Sequence, residues 1–136
     1  MSGAKTAATV LIIDDEADFR NLISWRLERG DVFRVLMAED GQTGIQMARE
    51  HHPDVILTDY SMPHMNGYEV LEALHADLAT RHIPVILLSA LGSEQKATES
   101  ISHGAVSHLE KWSDAKVLME EINRALAKHR QTHPSE

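Results

Sequence analysis

Five side chains suited to phosphoryl chemistry stand where apolar runs stop: Asp14 and Asp15 after Thr9–Ile13, Asp59 after Val55–Thr58, Ser89 after Pro84–Leu88, and Lys111 just beyond Ala105–Leu109. Brought to one rim, three carboxylates repel one another, and a divalent cation relieves that repulsion. An all-oxygen, partly hydrated donor set suits Mg²⁺ or Mn²⁺ better than Zn²⁺, which prefers His and Cys. Lys111 adds a point charge for a phosphate oxygen, and the Ser89 hydroxyl adds a hydrogen-bond donor. The set describes a phosphoryl-transfer site in which one carboxylate is the nucleophile and carries the group as an aspartyl phosphate.

Each residue alone has a plainer explanation. Asp14-Asp15-Glu16 reads as a helix N-cap with an acidic first turn, Asp59 as a turn residue, and Lys111 as a solvated cation. What favours chemistry is joint placement, since each polar residue closes a separate apolar run.

The elements that must position them follow from periodicity. Thr9–Ile13 predicts a buried strand, and Phe19, Leu22, Ile23 and Leu27 recur at helical spacing, with Arg26 interrupting the stripe and Gly30 placed to end the helix. Phe33, Val35 and Met37 alternate with Arg34, Leu36 and Ala38 as a strand in a mixed environment, after which Asp40-Gly41 turns into a helix carrying Ile45 and Ala48 and closed by Pro53. The strand ending at Asp59 leads through Pro63 and the turn pair Asn66-Gly67 to a helix with Val70, Leu71, Leu74 and Leu78 on one stripe. Pro84–Leu88 is a third strongly apolar strand. Ser93–His103 predicts a helix with only Ala97 and Ile101 as its apolar face, hence weakly anchored. Ala105–Leu109 is a mixed strand, and Val117, Leu118, Ile122, Ala125 and Leu126 make the stripe of a last helix.

Strand and helix alternate five times, which predicts an α/β fold with a single doubly wound, five-stranded parallel sheet and helices on both faces. The nearly all-apolar first, third and fourth strands belong in the centre and the mixed second and fifth at the edges. That gives the order 2-1-3-4-5, with a ligand crevice at the carboxyl ends where the order reverses. One domain is expected over 9–130, between a flexible N-terminal segment at 1–8 and a flexible tail at 131–136.

Composition narrows the function classes. With 136 residues the chain has room for one real core. A 43% hydrophobic and 25% charged composition argues against a mostly disordered chain. The net charge of -8 and the lack of a basic stripe argue against direct nucleic-acid binding. Without cysteine there is no disulfide framework and no thiol nucleophile. No apolar run approaches the length of a membrane span, so no membrane partner and a cytoplasmic location are expected. His129 and His133 stand four apart, but Pro134 beside them makes a defined metal site there unfavourable.

The acidic pair Asp14-Asp15, the D-x-x-M-P-x-M-N-G pattern at Asp59, Met62, Pro63, Met65, Asn66 and Gly67, the Ser89-Ala90 pair and Lys111, in that order on these strand ends, resemble a response-regulator receiver domain of two-component signalling. The resemblance covers roughly Thr9 to Lys128. It implies that Asp59 accepts a phosphoryl group from a phosphohistidine on a sensor histidine kinase or a His-containing phosphotransfer protein. It implies that Asp14 or Asp15, Asp59 and the backbone carbonyl of Ser61 hold Mg²⁺, and that Ser89 and Lys111 bind the phosphoryl oxygens. It further implies that the change is passed to a downstream protein or a linked output domain through the face of the fourth helix, fifth strand and fifth helix. Ser61 and Leu91 lie where family members tune hydrolysis.

Two departures from the family pattern stand out. The aromatic that often precedes the lysine by three residues is His108 here, a switch candidate by position alone. The proline that usually follows the lysine is Trp112, and a cis bond before a non-proline costs roughly 3 kcal/mol, so a trans Lys111–Trp112 bond is expected. Other functions remain open on the residues alone. A receiver fold that docks partners without phosphorylation keeps every structural feature. A haloacid-dehalogenase-like phosphohydrolase would put its nucleophile in a D-x-D motif directly after the first strand, which Asp14-Asp15-Glu16 does not offer. A flavodoxin-like electron carrier would place a Ser/Thr/Gly phosphate loop where this chain has three acids.

Overall fold

The computed structural model describes residues 7–30, 32–90 and 94–132, with the side chains of 94–97 and 129–132 outside the description. Five strands and five helices alternate: β1 (Ala8–Ile13), α1 (Ala17–Glu28), β2 (Phe33–Ala38), α2 (Gly41–His51), β3 (Val55–Asp59), α3 (Gly67–Ala76), β4 (Val85–Ser89), α4 (Glu94–Ser102), β5 (Ser107–Glu110) and α5 (Ala115–Thr132). The sheet order is β2-β1-β3-β4-β5 and every neighbouring pair is parallel, as the ranking of strands by apolar content predicts.

The alternation of side chains across each central strand builds two cores. Val10, Ile12, Leu57, Ile86 and Leu88 face α1 and α5, where Phe19, Leu27 and Ile122 meet them. Leu11, Ile13, Ile56, Val85 and Leu87 face the other way, onto Ile45 and Ala48 of α2 and Val70, Leu71 and Leu74 of α3. With both faces covered, β1, β3 and β4 are nearly solvent-free, and polar residues at their ends are held by a rigid frame.

The helix starts are encoded locally. The Asp40 carboxylate accepts from the Thr43 N–H to cap α2. Asn66 and Glu69 form a reciprocal capping box at α3. Gly67 follows because a Cβ there would lie 2.8 Å from the Asp59 carbonyl oxygen and 2.9 Å from the Tyr60 Cα. α2 ends on His52 in the left-handed conformation, one residue before the expected stop at Pro53.

Several stripe assignments need correction. Leu78 falls beyond the end of α3 and is 76% exposed, because Asp77 already ends the helix. Ile101 is 50% exposed, while the polar Ser100 is buried, the one such residue among the described side chains of α4. Ile101 therefore covers only part of the apolar face expected of it. Val117 and Met37 are exposed as well. Ala8 opens β1, and Gln131 and Thr132 belong to α5. Residues 1–6 and 133–136, with Leu91 and the side chains of Ala97 and His129, lie outside the described residues. Among the described residues no helix is long and apolar enough to cross a membrane.

Candidate functional site

Each candidate side chain is held by the end of its strand. The Asp14 N–H donates to the Ala38 carbonyl, 3.1 Å away at the end of β2, and the Lys111 N–H donates to the Ser89 carbonyl at 2.8 Å. Tyr60, just after Asp59, donates its N–H to the Leu88 carbonyl at 2.8 Å. Backbone ladder bonds therefore fix the spacing of Asp14, Asp59, Ser89 and Lys111 along one rim.

Three of the five converge with their charged atoms in contact. The Lys111 Nζ donates to the Asp14 Oδ1 at 3.0 Å and the Asp59 Oδ2 at 3.4 Å. Asp14 is fully buried, and Asp59 and Lys111 are each 4% exposed. Asp15 is exposed, yet one of its carboxylate oxygens belongs with those of Asp14 and Asp59 in a group lying within 4.8 Å of one another. Ser89 is buried on the same rim, and its hydroxyl lies 2.9 Å from the His108 Nε2. For Ser61 the backbone N–H is near enough to the Asp59 carboxylate to favour its charged form. His108 is thus turned toward the site, which its place on an edge strand did not require.

Electrostatics follow from burial. Burial first, and then the charge of Asp14, push the Asp59 carboxyl up to about 6, with Lys111 opposing. Burial likewise raises Asp14, against the Glu16 N–H and Lys111. For Lys111 burial works to lower the value, but bonds to Glu16 and Asp14 outweigh it and the ammonium is held above its ordinary range. Lys111 faces more negative charge than it can neutralise. The Asp14 Oδ2 is buried with no hydrogen-bond partner, an uncommon state for a carboxylate oxygen. An oxygen-only donor set with an orphaned oxygen inside it fits a hard divalent cation such as Mg²⁺ or Mn²⁺.

Two neighbours were not foreseen as members. Glu16 accepts a bond from Lys111, although it stood in the acidic run that drew attention to Asp14 and Asp15. Phe19 lies with its ring centroid 5.1 Å from the Lys111 Nζ and packs edge-on against Trp112 at 4.9 Å. Its place on an apolar stripe marked it only as core. No cis peptide bond occurs among the described residues, so Lys111–Trp112 is trans as expected.

The model of the response regulator receiver domain family matches residues 10–123. The chain is 35% identical over 120 residues to "Protein PilH" of Pseudomonas aeruginosa, covering 88% of this chain and 98% of that one. It is 37% identical over 117 residues to "Response regulator PleD" of Caulobacter vibrioides, covering 85% of this chain but 25% of PleD. The structure of the chemotaxis response regulator CheY4 of Vibrio cholerae superposes with a TM-score of 0.82 at 30% identity, covering 89% of this chain and all (100%) of that chain. The acidic rim, the strand order and these likenesses agree: the chain belongs to the response-regulator receiver family of two-component signalling.

Proposed function

We propose that this chain is a phosphorylation-switched interaction module whose phosphoacceptor is Asp59. The observation that carries the reading is the pairing of a buried Asp59 with Lys111 beside an Asp14 oxygen that has no hydrogen-bond partner. A sensor histidine kinase or His-containing phosphotransfer protein presents a phosphohistidine. A carboxylate oxygen of Asp59 attacks phosphorus, a P–O bond forms as the P–N bond breaks, and the leaving imidazole takes a proton from solvent. Water later cleaves the acyl phosphate, returning the carboxylate and inorganic phosphate, so the chain is a signalling domain with slow self-dephosphorylation rather than a turnover enzyme.

Asp14, Asp15, Asp59 and the Ser61 carbonyl would hold Mg²⁺, with Mn²⁺ as a substitute. When bound, the cation supplies positive charge against the carboxylates and the phosphoryl oxygens. Lys111, already in the pocket, takes one new phosphoryl oxygen, and Ser89 takes another by exchanging its bond to His108. That exchange couples the site to β5, and through β5 to the α4–β5–α5 face, where a downstream protein or a linked output domain binds. The net charge of -8 supports a protein partner rather than nucleic acid or an anionic membrane.

Incubation with acetyl phosphate and Mg²⁺ tests this by intact mass. One phosphoryl group is expected on the natural chain and none on Asp59→Asn. A label that survives Asp59→Asn overturns the assignment. An unlabelled natural chain leaves the receiver fold as a docking module that works without phosphorylation, and multiple-turnover release of phosphate from an ester would instead point to a phosphohydrolase.

A further inference from the structure

Glu16 has no part in the transfer just described, yet its carboxylate is a direct partner of the Lys111 ammonium. The lysine side chain is 3% exposed, and its ammonium sits between acids and the rings of Phe19 and Trp112, at 5.1 and 6.0 Å. It has few places to go. Glu16 also holds the N-cap position of α1 with an extended backbone, where a short polar side chain would accept from a first-turn N–H. It makes no such bond, so its carboxylate serves the lysine and not the helix. Its main chain is well fixed, with its N–H donating to the Asp14 Oδ1 at 2.8 Å and Arg20 bonded to the Asp14 carbonyl at 2.7 Å.

The ammonium is correspondingly off-centre, in contact with Glu16 and 3.0 Å from Asp14 but 3.4 Å from Asp59. We propose, resting on the phosphoacceptor reading above, that Glu16 is a positioning residue: it parks Lys111 to one side so that the Asp59 carboxylate stays open to a cation. Released from Glu16, the ammonium moves onto Asp59 and competes with the cation for the same oxygen. An arriving phosphoryl group supplies the stronger acceptor that draws the lysine across.

The test is amide NMR titration with Mg²⁺ alone, with no phosphoryl donor. Glu16→Gln keeps the shape and removes the charge, and should raise the Mg²⁺ dissociation constant about five-fold, the effect of losing one half-exposed ion pair. The same substitution in a Lys111→Met background should change it by less than about 1.5-fold, because the lysine through which Glu16 acts is gone. Equal effects in both backgrounds mean that Glu16 acts on the cation by its own charge, and no effect in either means that it does not act; both overturn the proposal. The ¹⁵N resonance of the Lys111 ammonium is a second readout that needs neither metal binding nor the Met variant. It should be sharp in the natural chain and exchange-broadened in Glu16→Gln, and an unchanged signal overturns the parking contact. A natural chain that takes no label from acetyl phosphate would sink the phosphoacceptor reading alone, since both arms read the Glu16–Lys111 coupling without it.

Discussion

The carboxyl ends of β1 and β3 and the flank formed by α4 and β5 are built on opposite terms. At the first, Asp14, Asp59 and Lys111 are almost wholly buried above strands whose apolar side chains are solvent-free on both faces. At the second, Ile101 and Val106 are about half exposed, Ser100 is the buried member of α4 among its described side chains, and Leu109 is only partly covered. The contrast has a physical reason. Like charges stay together in a pocket only if the backbone cannot spread to relieve them, so they need the stiffest part of the sheet. On the proposed function the flank must shift when a phosphoryl group appears, and an element that shifts cannot be bound by many apolar contacts.

The largest expected effect tests that division directly. Leu57→Ala opens a cavity in the solvent-free centre and should cost ~2–5 kcal/mol, whereas Ile101→Ala should stay within ~0.5 kcal/mol. Urea unfolding with an unchanged m-value measures both. Similar costs at the two positions would break the contrast.

Next in size is the electrostatic cost held in the rim. Because the folded Asp59 carboxyl sits at about 6, above its ordinary 3.8, the native state binds that proton more tightly than the unfolded chain does. Its stabilising contribution is complete below about pH 4 and is lost as pH rises through about 6. The metal-free natural chain should therefore lose ~1–3 kcal/mol relative to Asp59→Asn between pH 4 and pH 7.5, with added Mg²⁺ narrowing the gap at the higher pH. Thermal melts of the two chains across that range decide it, and parallel pH profiles would show that the rim carries no such cost.

These two effects also mark what could be read from the sequence. The central strands were legible because TVLII, VILT and PVILL have no polar residue to place outside, and the rim was legible because each run ends on a charged or hydroxyl residue. Periodicity overreached at the helix ends. Leu78 continues the stripe of α3 in sequence, but Asp77 has already stopped the helix. In α4 the apolar spacing points to Ile101 as part of the inward face, yet Ile101 is half exposed and the polar Ser100 is buried. Contacts set by side-chain direction, such as Glu16 with Lys111 or His108 with Ser89, were out of reach, since spacing along the chain says nothing about which of two neighbours turns inward.

The His108–Ser89 bond crosses between the two regions, and breaking it should have an intermediate effect. His108→Ala should destabilise the fold by ~1 kcal/mol, the usual net value of a partly buried hydrogen bond. As a switch, His108 should also govern how far Asp59 phosphorylation alters amide exchange in α4. If both His108→Phe and His108→Ala leave that response unchanged, the residue is only part of the edge strand.

The smallest effect lies wholly on the flank. Tyr60 directly follows Asp59 and packs edge-on against Tyr68 at 4.8 Å; the Tyr68 ring stacks on His103 at 4.1 Å, and its hydroxyl donates to the Glu99 Oε2 at 3.3 Å. The His103 Nδ1 lies 3.6 Å from the Glu72 carboxylate of α3. Among the described residues, the end of α4 is thus tied to α3 through half-exposed rings and the loose approach of His103 to Glu72. Such a tie is worth ~0.5 kcal/mol, too little to alter global unfolding much but enough to bias a local opening. His103→Ala should therefore speed amide exchange in α4 roughly two-fold while leaving β1 and β3 untouched. If exchange in the central strands rises with it, α4 is not a separately opening unit and the flank shares the stiffness of the rim.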